Sequence, residues 1–383
     1  MRTPSSVFAA EHREIIDAFE DFVRRELAPL AAELPPEADI VPAELHDYVR
    51  TRSARLGFYA GDYPEELGGA GMPVAAIVHL HHAAGRSGCR LAPLALTGSD
   101  GPSPILRNGD REQVKRYLEP LVRGEATRCL ALTEPATGSD AFALATTARQ
   151  DPATEEWVLD GRKTFVSHAD RADFAIVIAR VGDHGPTAFV VAKGTPGMRI
   201  GQRYVGMSGE PVFELLLDGV RLPADAVIGG VGAAMADTID SLSRGRIMIA
   251  AMCTGIAEYA LELGVEHARR RVAFGEPIGA FQHVQEHLVT SAADVETAKL
   301  LTFGSARLVD EGVTSPENAA LAKLTASETA VRVVDRAMQV HGGAGWLRGH
   351  PLERLYRQVR VMTIIDGTSE IQKVIIARAL GLG

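Results

Sequence analysis

Cysteine is scarce in this chain: Cys89, Cys129 and Cys253 are widely spaced, odd in number and form no CxxC pair. That excludes a disulfide framework and a zinc ribbon, and it points to a reducing compartment, the cytoplasm by expectation. Aromatic residues make up only 5%, and 40 basic against 49 acidic side chains leave a formal charge of −9. A chain of that balance is not built mainly to grip nucleic acid. Long hydrophobic runs are missing as well. The longest, Ile247 to Ala257, lies between Arg246 and Glu258 and falls short of the ~20 residues that span a bilayer, so no membrane partner is expected. The opening MRTPSSVFAAEHREIIDAF carries early acidic residues and no apolar core, unlike a signal peptide. No Walker A sequence occurs, and the glycine clusters at 229–232 and 342–345 miss the G-x-G-x-x-G spacing, which disfavours a nicotinamide Rossmann domain.

What is present is an ordinary globular composition, 46% hydrophobic and 23% charged over 383 residues, enough for two or three domains. Ile15, Phe19, Phe22, Val23, Leu27 and Leu30 recur at helical spacing, and helical patterns return at Asp39 to Arg55, Val74 to Ala84 and Arg111 to Arg123. Between them lies a glycine- and proline-punctuated loop from Gly57 to Pro73. Near Arg128 the period changes. Trp157 to Val166 reads as a hairpin turning at Asp160-Gly161, Phe174 to Ala179 and Thr187 to Ala192 are short β-branched runs, and Phe213, Leu215 and Leu217 alternate before a second Asp-Gly at 218–219. Helical spacing resumes after Gly232, with one stripe at Val284, Leu288, Ala292, Val295 and Ala298 and another at Leu321, Leu324, Val331, Val334 and Met338. The expected fold is α+β and multidomain: an N-terminal helical domain over 1–127, a small antiparallel β-barrel-like middle domain over 128–230, and a C-terminal four-helix bundle over 231–383.

Several local patterns carry possible chemistry. His283-Val-Gln-Glu286-His287 matches the H-x-x-E-H pattern of inverted zincins, and His79, His81 and His82 cluster on one segment. Neither has a third ligand in evidence, and no metal is expected. A zinc hydrolase reading would predict stoichiometric zinc and a colourless protein. Arg269-Arg270-Arg271 stands just before Ala273-Phe274-Gly275; it is either a solvated helix face or a diphosphate clamp, since guanidinium forks match phosphate oxygens. Thr133 to Asp140, TEPATGSD, follows an apolar strand. Its Gly138 and Ser139 would let backbone N–H groups approach an anion or a ring carbonyl, or would simply make a turn.

Taken together, these segments resemble the acyl-CoA dehydrogenase family. Leu56-Gly-Phe and Pro64-Glu-Glu-Leu-Gly-Gly-Ala-Gly71 look like its N-terminal signature, and Thr133-Glu-Pro-x-x-Gly-Ser-Asp140, Gly161-Arg-Lys-Thr-Phe-Val-Ser167 and Gly245-Arg246-x-x-Ile-Ala-Ala251 follow in order. Arg271-x-x-Phe274-Gly-x-Pro-Ile-x-x-Phe-Gln282, Gln339-x-His-Gly-Gly343 and Asp366-Gly-Thr-Ser369 complete the set, so the likeness covers nearly the whole chain. It implies FAD as cofactor. The segment 130–139, expected as a strand, would line the flavin through the hydroxyls of Thr133 and Ser139 and the backbone of Leu132 and Gly138. Phe165 stands where the family usually has tryptophan against the isoalloxazine ring, and Ser167 where threonine bonds near flavin N5. Arg271, Phe274, Gln282, Gln339, Gly342 and Gly343 resemble the set that holds the adenosine diphosphate arm across a subunit interface, with Thr368 and Glu370 completing the cofactor shell. Such a shared site implies a homo-oligomer, tetramer or dimer.

The resemblance also implies the reaction: a carboxylate takes the α-proton of an acyl thioester while hydride leaves the β-carbon, and electrons pass on to a separate flavoprotein like the electron-transferring flavoproteins. Such a base works when burial tunes its acidity, here with Ile364 and Ile365 as the expected apolar walls. The matching residue is Asp366, where glutamate is usual. In a subset of the family the base precedes the arginine on an earlier helix; Gly245 stands there, which closes that option. Aspartate is one methylene shorter, roughly 1.5 Å of reach. A substrate seated closer, another carbon acid such as a nitroalkane (nitroalkane oxidases resemble this fold and use aspartate), and a non-catalytic FAD-binding interaction protein are the readings that follow. Ser139, Arg246 and Gly367 are the candidate substrate contacts. Ser243 replaces a frequent acidic residue near the nucleotide end, leaving both CoA and acyl carrier protein as thioester carriers, and Lys373 stands where arginine is common.

Overall fold

The computed structural model describes residues 3–313 and 315–382. They fall into two compact units: one built from Met1–Val49, Met72–Leu96 and Ser243–Gly383, the other from Arg50–Gly71 and Thr97–Leu242.

The second unit is organised by one sheet, with β1 Arg128–Ala131, β2 Thr147–Gln150, β3 Trp157–Ser167, β4 Phe174–Val181, β5 Gly185–Ala192, β6 Met198–Val205, β7 Pro211–Leu222 and β8 Val227–Ile228. The path runs β6-β7-β3-β2-β4-β5-β8, with β1 beside β4. Most pairings are antiparallel, but β1 and β2 both run parallel to β4, and the sheet does not close on itself. The expected sheet-built middle domain is present, and its antiparallel, barrel-like form is corrected to an open mixed sheet. β4 shows why its sequence is apolar without alternation. Ala175, Val177 and Ala179 enter a core with Trp157, Leu159, Phe189 and Leu217, while Phe174, Ile176 and Ile178 enter a second core with Tyr59, Ile105, Leu118 and Leu121. A strand covered on both faces needs no polar phase.

The expected hairpin at Asp160-Gly161 is absent. β3 runs straight through, paired with β7, and the irregularity lies opposite: Leu159 pairs with Val220 and Gly161 with Leu217, so Asp218 and Gly219 together face Asp160. Asp160 Oδ1 accepts from the Gly219 amide at 2.7 Å, and Gly219 takes φ +58°. Asp-Gly chemistry suits a bulge as well as a turn. Gly161 serves close packing instead, since a Cβ there would lie 2.4 Å from Thr146 Oγ1.

In the first unit, α1 Val74–Arg86, α3 Gln282–Asp310, α4 Pro316–His341, α5 Pro351–Met362 and α6 Ser369–Ala379 are the main helices, together with α2 Ala234–Arg270 from Ser243 onward. Four of them share one core: Ala250, Cys253 and Ala257 of α2, Val295 and Ala298 of α3, Ala326, Ala330 and Val334 of α4, and Leu352, Leu355 and Val359 of α5. The bundle is thus present, and the predicted stripes join its seam in part: Val295, Ala298 and Val334 enter the core, with Val331 and Met338 packed against it. Ala292 and Leu321 are exposed, and small residues, among them Ala319, Ala322, Ala326, Ser327 and Ala330, make up much of the buried face of α4. Small side chains let helices approach closely. The extreme case joins α1 and α2, where a Cβ on Gly255 would lie 2.0 Å from the His82 carbonyl and one on Gly85 would lie 2.6 Å from the Met252 carbonyl. By length and composition α2 could cross a membrane, a test the shorter run Ile247 to Ala257 did not meet, but over half of its most apolar window is buried in the fold.

Candidate functional site

In the sheet unit, the predicted flavin-lining strand ends at Ala131, and 132–140 is an irregular segment held from below. Lys163, fully buried on β3, donates from Nζ to the Leu132 carbonyl at 3.0 Å and to Glu134 Oε1 at 2.7 Å. The Glu134 carboxylate also accepts the amides of Ala145 and Thr146. Burial works to raise the Glu134 carboxyl pKa, but its hydrogen bonds, first that from Lys163, outweigh it and hold the group below the ordinary range. The Thr164 amide donates to the Thr133 carbonyl at 2.9 Å, tying the segment to β3. Leu132 and Thr133 are therefore anchored through their carbonyls, while Gly138 and Ser139 lie exposed beyond them.

The next residue on β3 is Phe165. Lys163 pairs with Leu215 and Val166 with Phe213, so Thr164 and Phe165 together face Glu214 in a second bulge. Phe165 there takes φ +55°, in the left-handed region, and its ring is 61% exposed beside Tyr204, with centroids 5.8 Å apart. Bulges re-aim side chains, and a bulky residue at positive φ costs about 1–3 kcal/mol that the surroundings must offset. Glu214, buried on β7, opposes this bulge and another in β6, and it accepts hydrogen bonds from Arg162 and from Tyr204 Oη. Ser167 closes β3, half-buried and paired with Val212.

In the helical unit, Asp366 precedes α6 and takes φ +51°, followed by Gly367 at φ +93°. Two consecutive carbonyls receive four hydrogen bonds. The Asp366 carbonyl accepts from Arg246 Nε at 3.0 Å and Gln372 Nε2 at 3.2 Å; the Gly367 carbonyl accepts from Gln372 Nε2 at 2.7 Å and Lys323 Nζ at 2.8 Å. Arg246 is buried, and Lys323 and Gln372 are fully so. Burial pushes the pKa values of both cations down, with the negative charge of Asp366 opposing in each case. The carboxylate meanwhile lies over Gly245 of α2: a Cβ at that position would be 2.6 Å from Asp366 Oδ2. Ile364 and Ile365 are 50% and 39% exposed, not closed around the carboxylate. Thr368 caps α6, its Oγ1 accepting from the Ile371 amide at 3.4 Å, and Glu370 lies in the first turn.

The other predicted cofactor contacts of this unit are surface features. Val272–Ala273 and Glu276–Pro277 form a two-stranded hairpin whose turn residues, Phe274 and Gly275, both have positive φ. The Phe274 ring at the tip is 96% exposed, and Arg271 is exposed at the hairpin's base. Gln282 starts α3, Gln339 sits in the last turn of α4, and Gly342 ends that helix at φ +60° with open space where a side chain would stand. Gly343 is similarly open. Three of the six non-glycine residues with positive φ among those described, Phe165, Phe274 and Asp366, are residues the motifs singled out.

The structure thus brings Asp366, Gly367 and Arg246 together in one unit, and Leu132, Thr133 and Phe165 in the other. Sequence reasoning missed Lys323, Gln372, Lys163 and Glu214. The only available signal was their type: a lysine, glutamine or glutamate at an apolar phase of a helix or strand. The histidine motifs lead elsewhere. His79 packs on Phe303 at 4.3 Å, His82 pairs with Glu258 at 3.2 Å, and no group of three potential ligands assembles among the described residues.

Comparison with known proteins agrees over nearly the whole chain. Models of the acyl-CoA dehydrogenase N-terminal, middle and C-terminal domains match residues 9–125, 129–220 and 232–381. The 3-(aryl)acrylate reductase of Clostridium sporogenes is 36% identical over 384 residues, covering 97% of this chain and 99% of that protein. The mitochondrial short-chain specific acyl-CoA dehydrogenase of Homo sapiens is 36% identical over 374 residues, covering 96% and 89%. The structure of butyryl-CoA dehydrogenase from Megasphaera elsdenii superposes with a TM-score of 0.87 at 31% identity, covering 96% of this chain and 97% of that one. The chain belongs to the acyl-CoA dehydrogenase family, FAD-binding oxidoreductases that act on the CH–CH bonds of acyl-CoA thioesters.

Proposed function

We propose that this chain dehydrogenates an acyl-CoA thioester between its α- and β-carbons, with Asp366 as the base that removes the α-proton. The observation that carries this reading is the placement of Asp366: a left-handed backbone, pinned through its carbonyl, with the carboxylate lodged over Gly245. A residue held in a strained conformation by buried donors is a pre-organised group, and pre-organisation is what a proton-abstracting base needs.

The exposed ring of Phe165, the open glycines 342 and 343 and the exposed guanidinium of Arg271 suit a flavin ring and a diphosphate arm. FAD, when bound, supplies the two-electron acceptor for the hydride leaving the β-carbon. The protein's own part is positional. Phe165 offers an aromatic face, Ser167 a hydroxyl at the end of β3, Thr133 and Ser139 further hydroxyls, and Leu132 and Gly138 their backbone. Phe274, Gln282, Gln339, Thr368 and Glu370 complete the proposed cofactor contacts, and Ser139, Arg246 and Gly367 those of the thioester. Asp366 holds the abstracted proton, and by microscopic reversibility returns it when the reaction runs as a reduction, the direction named for the clostridial relative. A homo-oligomer is part of this proposal, with the 96% exposed ring of Phe274 as a surface that a second copy would cover. An electron-transferring flavoprotein is the proposed electron partner.

Anaerobic titration with a panel of acyl-CoAs tests the reading. One thioester should bleach the flavin band, and Asp366→Asn should keep the band while losing the bleaching. Bleaching at the wild-type rate in Asp366→Asn would remove Asp366 from the role of base.

A further inference from the structure

Lys323 is an ammonium fully buried in α4, and its hydrogen bond goes to a main-chain carbonyl instead of a carboxylate. A buried cation is weak evidence of stabilisation, because removing it from water offsets most of what its partner returns. The carbonyl it holds is that of Gly367, directly after Asp366. The same oxygen takes a second bond from Gln372, and the oxygen before it takes bonds from Gln372 and Arg246. Because both partners of the Gln372 amide are carbonyl oxygens, its nitrogen must face them; its Oε1 is left buried without a protein donor. Gln372 therefore accepts an unsatisfied atom in order to hold this one turn. The donors come from three helices, α2, α4 and α6, so the turn is triangulated and not merely tethered to its own helix. The backbone they hold is left-handed, a region aspartate enters more readily than most side chains but still as a minority conformation.

We infer that Lys323 and Gln372 are positioning residues for the reaction: together with Arg246 they clamp the Asp366 and Gly367 carbonyls and so fix where the Asp366 carboxylate stands. A short base has few torsions with which to correct an error of its backbone, so the precision is built into the main chain. This deepens the proposed function and rests on Asp366 as the base.

The test uses the purified FAD-loaded enzyme with the acyl-CoA that bleaches it. Lys323→Met keeps the stem and removes the donor. Single-turnover bleaching at saturating thioester should slow about 10- to 100-fold, as an error on the order of 1 Å at the base predicts, while the thioester dissociation constant stays within about twofold. Hydrogen exchange should rise at least tenfold, as an order of magnitude, in the peptide spanning 363–370, while α2 and α4 keep wild-type protection. Gln372→Met should give the same pattern. A wild-type bleaching rate, or slowing with unchanged exchange in 363–370, overturns the inference. Loss of the flavin band and of cooperative melting in both variants also overturns it, since the residues would then serve the fold alone. If Asp366→Asn itself bleaches normally, the proposed base has failed; if Asp366→Asn is dead and the two clamp variants are normal, the clamp alone has failed.

Discussion

Adding one methyl group to α2 should separate stability from activity. In Gly245→Ala the new Cβ would lie 2.6 Å from Asp366 Oδ2, whereas an ordinary contact begins near 3.4 Å. The difference, about 0.8 Å by subtraction, must be taken up by one partner. The helix backbone is held by its own hydrogen bonds, and the Asp366 carbonyl is held by Arg246 and Gln372. The aspartate side chain is then the partner that must yield, so the carboxylate leaves its position over the helix. Misplacement of ~1 Å costs on the order of 100-fold in rate, and the expected loss in single-turnover bleaching is therefore about 10- to 100-fold. Stability moves the other way. Gly245 is helical, its φ is not positive, and Gly→Ala inside a helix favours folding by roughly 0.5–1 kcal/mol. The assay pairs anaerobic stopped-flow bleaching at saturating thioester with thermal melting of the FAD-bound protein. The expected result is a slow enzyme with an unchanged or raised Tm. A bleaching rate within twofold of wild type would refute the placement of the carboxylate, and a slow enzyme with a sharply lower Tm would refute the claim that the effect is local.

Phe165→Gly should relieve the positive φ, leaving the Tm of the FAD-free protein equal or higher, yet weaken retention of FAD; equilibrium dialysis that finds wild-type retention would detach Phe165 from the flavin. Acid stability should depend on Glu258, which His82, Lys299 and Arg86 face from α1 and α3. Burial acts to raise its carboxyl pKa, but His82 and then Lys299 dominate and lower it to about 2 from 4.5. A depressed folded-state pKa contributes stability that is present above about pH 4.5 and lost as pH falls toward 2, on the order of 3 kcal/mol in all. Glu258→Gln should be less stable at neutral pH, and its deficit should shrink between those limits; a deficit constant from pH 6 to pH 2.5 in urea melts would contradict this.

Much of the architecture was legible because burial writes itself into side-chain periodicity. The order helix, sheet, helix, the apolar runs of β4 and β5, and the residues of the motif segments could all be read in advance. The misreadings share one cause: a local signal that two tertiary settings satisfy equally well. Asp160-Gly161 fits a turn or a close approach, and what decides is Thr146 pressing on Gly161. The expected α4 stripe rests on large side chains, of which Val334 does join the seam, but most of the seam on this helix is alanine, because close helix packing excludes bulk. Asp366 itself was visible as a carboxylate before Gly-Thr.

By itself, then, the sequence determined the kinds of element, the chemistry available at each motif, and the aspartate where glutamate is usual. Tertiary structure alone decided that Phe165 stands on a bulge opposite Glu214, that Lys163 holds the segment after Ala131, and that Lys323, Gln372 and Arg246 meet on two adjacent carbonyls beside Gly245. The reason is physical. Periodicity records how each residue sits against its own element, but a hydrogen bond between a buried side chain and a distant carbonyl leaves no periodic trace, and it exists only once three helices have packed.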